Sequence, residues 1–83
     1  MDTRAAANYL ADLGTLLKER ALEARANAGS EKGNQEHQFE LGRLTAYYEV
    51  LSLMRQQANA FGLDLRDVSL HDFDPDAELL RDA

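Results

Sequence analysis

Two stretches of the chain hold the side chains that could bind a metal or move a proton. The first, Glu36-His37-Gln38-Phe39-Glu40, sets His37 and Glu40 three residues apart, on one face of a helix. Glu and His at helical spacing build di-metal sites when they point into a bundle, and Glu23 lies near the same level of a helical hairpin. The order needed there is Glu-x-x-His; here it is reversed and occurs once. Acids favour the first turn of any helix, so a helix start accounts for Glu36 and Glu40 without a metal. The second stretch, Asp72-Phe73-Asp74-Pro75-Asp76, alternates its acids like the opening of a calcium loop. Such a loop also needs Gly at its sixth position and Glu at its twelfth, where Ala77 and Ala83 stand.

The remaining reactive groups form no recognisable set. Ser30, Thr45, Ser52 and Ser69 have no His placed to activate them, and His71 beside Asp72 is too close in sequence to be oriented as a dyad. Gly29 to Asn34, GSEKGN, lacks the pattern of a phosphate-binding loop. Cysteine is absent, which removes disulfides, thiolate ligands and a cysteine nucleophile. The expectation is a non-enzymatic protein with no catalytic residue, no cofactor and no bound metal.

Two long helices must carry these residues. From Thr3 to Ala28 the chain is rich in Ala and Leu and lacks Pro; Leu10, Leu13, Leu17, Ala21, Ala24 and Ala28 recur at steps of three and four. Tyr9 and Leu16 widen that face. Gly29 is expected to end the helix in a left-handed conformation. The polar break is short, so the next helix packs antiparallel to the first. It is expected from Asn34, a good N-cap, to Phe61, with Gly62 ending it. In this hairpin Gly14 falls level with Tyr48, small opposite large.

The second helix carries more apolar surface than one neighbour can hide. His37, Glu40, Leu44, Tyr47, Leu51, Met54, Ala58 and Phe61 follow the alternating three-and-four spacing of a helix packed along its length. Leu41 and Tyr48 flank that stripe on one side; Phe39, Ala46, Val50 and Leu53 flank it on the other. The strictly polar arc is only Thr45, Glu49, Ser52 and Gln56. The apolar arc is about twice the ~100° of an ordinary surface helix. A second molecule or the C-terminal segment, whose Leu63, Leu65, Val68 and Leu70 can fold back, must cover the rest. The expected architecture is all-α, a single domain over residues 1–83, a helical hairpin with a short C-terminal helix that pairs with a second copy as a four-helix-bundle-like homodimer. Phe39, Leu44, Tyr47, Tyr48, Val50, Leu51, Met54 and Phe61 are the expected interface with that copy or another partner. Tyr47 and Phe61 suit the bundle core; Tyr48 and Phe39 lie off the main stripe and suit an intermolecular contact.

After Gly62 the chain turns acidic. Residues 62 to 83 hold seven acids and two bases, and the net charge of −6 resides almost wholly there. A short helical turn is expected from Asp64 and a third helix from about Pro75 to Arg81, with Asp74 as its cap. Asp64, Asp67, Asp72, Asp74, Asp76 and Glu78 are the expected contacts to a basic protein surface. Nucleic acid is not expected as a direct partner, because phosphate contact rests on clustered Lys and Arg.

Nothing reaches the ~20 apolar residues of a membrane span. The start MDTRAAANYLADLG, with an acid at position 2 and no unbroken apolar run, does not read as an export signal. A cytoplasmic location is the expectation, and seven Arg to two Lys suits a high-GC bacterial or phage genome. The expected role is a protein-interaction module. One form is an acidic stoichiometric inhibitor of the immunity, antitoxin or anti-defence kind. The alternatives are an assembly adaptor held by the second helix, or a metal-binding bundle at Glu23, His37 and Glu40.

Overall fold

A computed structural model describes residues 3–30, 33 and 35–80. Helix α1 (Thr3–Ser30) and helix α2 (Gln35–Ala60) form an antiparallel hairpin, followed by a 3-10 turn (Leu65–Val68) and a final π-helical turn (Asp76–Leu80). The architecture is the expected one, all-α with two long helices and a short C-terminal element. No described helix is long and apolar enough to cross a membrane.

Local chemistry sets the boundaries. Helix α1 runs through Gly29 to Ser30, so Gly29 is not its terminator; the left-handed glycine of the turn is Gly33, at φ 93°. The proposed N-cap Asn34 lies outside the described residues. Helix α2 ends as expected: Gly62 takes φ 72°, and the Leu63 amide donates to the Ala58 carbonyl at 2.8 Å. That six-to-one bond is the Schellman closure, which needs a left-handed residue just past the helix. Asp64 caps the 3-10 turn by accepting from the Arg66 amide at 2.9 Å. Asp74 does the same at the last turn, accepting from the Asp76 amide at 3.0 Å. Arg81, expected to close the last helix, lies outside the described residues.

The core lies where three elements meet. Ala21 and Ala24 of α1, Leu44, Leu51 and Ala58 of α2, and Val68, Leu70, Phe73 and Leu79 of residues 63–80 form one buried cluster. Small residues on α1 let the backbones approach closely, so the large groups come from α2 and the C-terminal segment. Leu51, Leu70 and Leu79 are the largest fully buried side chains. Two of the three belong to the segment, which makes it part of the fold rather than a solvated tail.

Gly14 is the point where that segment crosses α1. It does not sit against Tyr48; a Cβ there would run into the Val68 carbonyl oxygen. Beside it Ser69 adopts φ 59°, and its hydroxyl donates to the Ala11 carbonyl at 2.8 Å. Left-handed backbone costs a non-glycine residue about 1 kcal/mol. The hydroxyl bond to α1 gives a reason for Ser rather than Gly at this bend.

Candidate interaction surface

The clusters that could have done metal chemistry are separated. The ring of His37 turns back to the first helix, its Nδ1 donating to the Ala28 carbonyl at 3.1 Å. A carbonyl only accepts, so Nδ1 carries the proton. Glu40 is buried and accepts from Arg43 at 2.9 Å. Glu23 stands 4.0 Å from the same guanidinium, which also lies 5.9 Å over the Tyr47 ring. A shared arginine is what brings these acids together. Among the described residues no group of three metal-ligating side chains exists, so the metal-bundle alternative at Glu23, His37 and Glu40 is set aside.

The acids of the C-terminal segment also point apart. Asp72 pairs with Lys18 of α1 at 3.1 Å, and Asp74 with Arg55 of α2 at 3.4 Å. Asp76 accepts from the Tyr48 hydroxyl at 2.5 Å. Asp64 pairs with Arg66 at 3.7 Å. Three of the acids expected to meet a partner thus fasten the segment to both helices, and a fourth caps its own turn. Asp67 and Glu78 make no ion pair among the described residues. The calcium reading fails for the same reason, since Asp72, Asp74 and Asp76 are directed to three different groups.

Two titrations report on this fastening. The Lys18 ammonium, hydrogen-bonded to Asp72, holds that carboxyl below the ordinary carboxylate value. A depressed pKa contributes stability above the unfolded value of about 3.9, and the contribution is lost as pH falls through the folded value. The thermal advantage of wild type over Lys18→Gln is therefore expected to shrink as the buffer is taken below about pH 4. An advantage independent of pH would contradict the pairing. For Tyr48 the bond to Asp76 comes first, then burial, and both raise its pKa. Its contribution is present below about pH 10 and lost as pH climbs through the raised folded value. Ultraviolet titration should show one tyrosine ionising late, and Asp76→Asn should bring it earlier; three tyrosines ionising alike in both proteins would contradict the bond.

The surface that remains open is on the opposite side of the hairpin. On α1, Ala11, Gly14 and Lys18 meet the segment; at 100° per residue, Tyr9 and Leu16 lie nearly opposite them. On α2, Tyr48 and Arg55 meet the segment, and Phe39, Val50 and Leu53 lie nearly opposite, with Phe61 just past the helix end. In an antiparallel pair both sets fall on the same side. The hairpin thus has one face closed by residues 63–80 and one face open.

The open face is apolar where it should be polar. Tyr9 is 65% exposed, Phe39 62%, Leu53 55% and Phe61 78%; Leu16 and Val50 are also exposed. Of its charged residues, Arg20, Glu23, Glu36 and Arg43 fall in the half nearest the turn, and Asp12, exposed on α1, borders the other half. The half nearest the chain ends is uncharged along α2 from Ala46 to Phe61 on this side. At that end an apolar cleft of about 160 Å³ lies between the two helices and the start of the C-terminal segment, lined by Leu10, Met54, Gln57, Ala58, Phe61, Leu63 and Val68.

Set against these positions, the expected interface divides. Phe39, Val50 and Phe61 are on the open face. Tyr47 and Met54 are half-buried at its edge, packed on the core. Leu44 and Leu51 are not available to another molecule: α1 and the C-terminal segment bury them. Tyr48 is covered from within as well, by the segment that holds its hydroxyl. Phe61, expected in the core, projects from the end of α2 instead. Tyr9 and Leu16, read at first only as broadening the α1 face, belong to the open surface; the direction of the segment's crossing was the missing information.

No protein-family model matches the chain, and no curated protein or solved structure does either.

Proposed function

We propose that the chain is a non-catalytic protein-interaction module that works through the open face of its hairpin. One observation carries this reading: a set of large exposed apolar side chains, Tyr9, Leu16, Phe39, Val50 and Leu53, on one side of a hairpin whose other side is already closed. Depletion of charge together with exposed aromatic residues is the compositional mark of an interface core. Isolated exposed apolar residues are ordinary on any surface, but an apolar face of this extent is not.

Of the two interaction readings, the geometry favours the adaptor or assembly type over the acidic inhibitor. An inhibitor steered by charge needs free acids, and Asp72, Asp74 and Asp76 are occupied within the chain. With Asp72 and Asp74 matched by Lys18 and Arg55, the remaining acids offer a weaker lure to a basic target. A photo-crosslinking residue placed at Val50, on the open face, or at Gln56, on the polar arc of α2, separates the possibilities in the native host. A defined adduct from position 50 and none from position 56 is expected. Equal labelling from both positions, or no adduct from either, would refute the reading.

A further inference from the structure

We infer that the occupant of the open face is a second copy of this chain, laid face to face with both turns at the same end of the dimer. The inference rests on the interaction reading above and names the partner. Its first support is surface area. The chain exposes 5707 Å², whereas a compact monomer of 9.3 kDa exposes about 5,000 Å². The surplus of about 700 Å² is close to the ~800 Å² that each partner gives up in a standard interface. A helical hairpin with one face closed has the surface left over for one more layer of its own kind.

The charge pattern selects the orientation. A two-fold axis along the helices sets α1 of one copy over α2 of the other, with levels preserved. The more apolar halves then meet: Tyr9 and Leu16 of each copy face Val50 and Leu53 of its partner, with Asp12 at the rim. In the turn-side halves Glu23 of one copy comes over Arg43 of the other, so the pair already formed within each chain can be shared between them. Every helix then has antiparallel neighbours, the arrangement of a four-helix bundle. The reverse orientation, with turns at opposite ends, lays Arg20, Glu23 and Arg43 on the apolar half of the partner. Burying unpaired charge against apolar groups is unfavourable, because the lost hydration is not replaced.

The test uses the full chain and its lack of cysteine. Sedimentation equilibrium from micromolar to several hundred micromolar is expected to show twice the chain mass. Val50→Glu combined with Leu53→Glu should weaken dimerisation at least ~100-fold while helical circular dichroism is kept, because neither residue is in the core. Thr45→Glu with Gln56→Glu, on the polar arc, should leave the dimer intact. A nitroxide on Ser30→Cys then reads the orientation. Turns at one end place the two labels within roughly 30 Å, by two layers of helix packing. Turns at opposite ends separate them by the helix length, beyond about 40 Å. A monomer throughout the range, a dimer indifferent to the Glu pair, or a long label distance each overturns the inference. A monomer whose Val50 crosslinker still captures one other protein in cells refutes the second copy and leaves the interaction reading standing.

Discussion

Gly14→Ala is expected to destabilise the protein by about 2–3 kcal/mol, although helix propensity alone favours Ala by ~1 kcal/mol. Gly14 lies deep inside a 28-residue helix, where a glycine normally weakens the structure. Here the added methyl group would occupy the position of the Val68 carbonyl oxygen. Neither side can yield cheaply. One is the helix backbone, and the other is the backbone of a bend fixed by the Ser69–Ala11 bond. Residues 63–80 would have to lift, taking Leu70, Phe73 and Leu79 partly out of the core. Urea unfolding of the two proteins checks the sign: a midpoint raised by the substitution would mean that the segment does not lie against α1. Gly42 is the internal control. Nothing lies near its open side, so Gly42→Ala should raise stability by a few tenths to ~1 kcal/mol.

Leu51→Ala has the second large effect, a loss of about 3–4 kcal/mol within the 2–5 kcal/mol range for buried leucines. Leu51 is fully buried where α1, α2 and the segment converge. On α1 the buried residue nearest its level is Gly14, which has no side chain to swing in and fill a cavity. A domain of this length has a total stability of roughly 4–12 kcal/mol, so the variant is expected to be partly unfolded at 37 °C. The neighbouring exposed position gives the contrast: Gln56→Ala should change unfolding by less than about 0.5 kcal/mol. Calorimetry that found Leu51→Ala as mild as Gln56→Ala would place Leu51 outside the core.

The sequence made some parts of this fold legible and concealed others for definite reasons. Periodicity located both helices because apolar spacing reports which residues share a face. Gly62, Asp64 and Asp74-Pro75 marked their boundaries because capping is a local interaction between neighbouring residues. Periodicity does not say what covers a face. Leu44 and Leu51 lie on the stripe that called for either a second molecule or the C-terminal segment, and spacing alone could not choose between them; the segment, through Leu70, Phe73 and Leu79, joins α1 in covering them. The approach of Val68 to Gly14 spans more than fifty residues and leaves only a glycine as its trace. The acids show the same limit. Their number is visible in the composition, but whether each meets solvent or a base depends on the crossing of the segment over α1. Once that crossing is known, Asp72, Asp74 and Asp76 read as fasteners, and the open face shifts to Tyr9, Leu16, Phe39, Val50, Leu53 and Phe61.

The division of the hairpin into one closed and one open face is tested most directly by hydroxyl-radical footprinting over a dilution series of the intact chain. At submicromolar concentration Tyr9, Phe39 and Phe61 should oxidise rapidly and Phe73 slowly. As concentration rises, protection should spread over Tyr9 and Phe39 while Phe73 stays unchanged. Phe73 oxidising as fast as Phe61 in the dilute protein would show that residues 63–80 do not close the hairpin, and the open face would lose its definition.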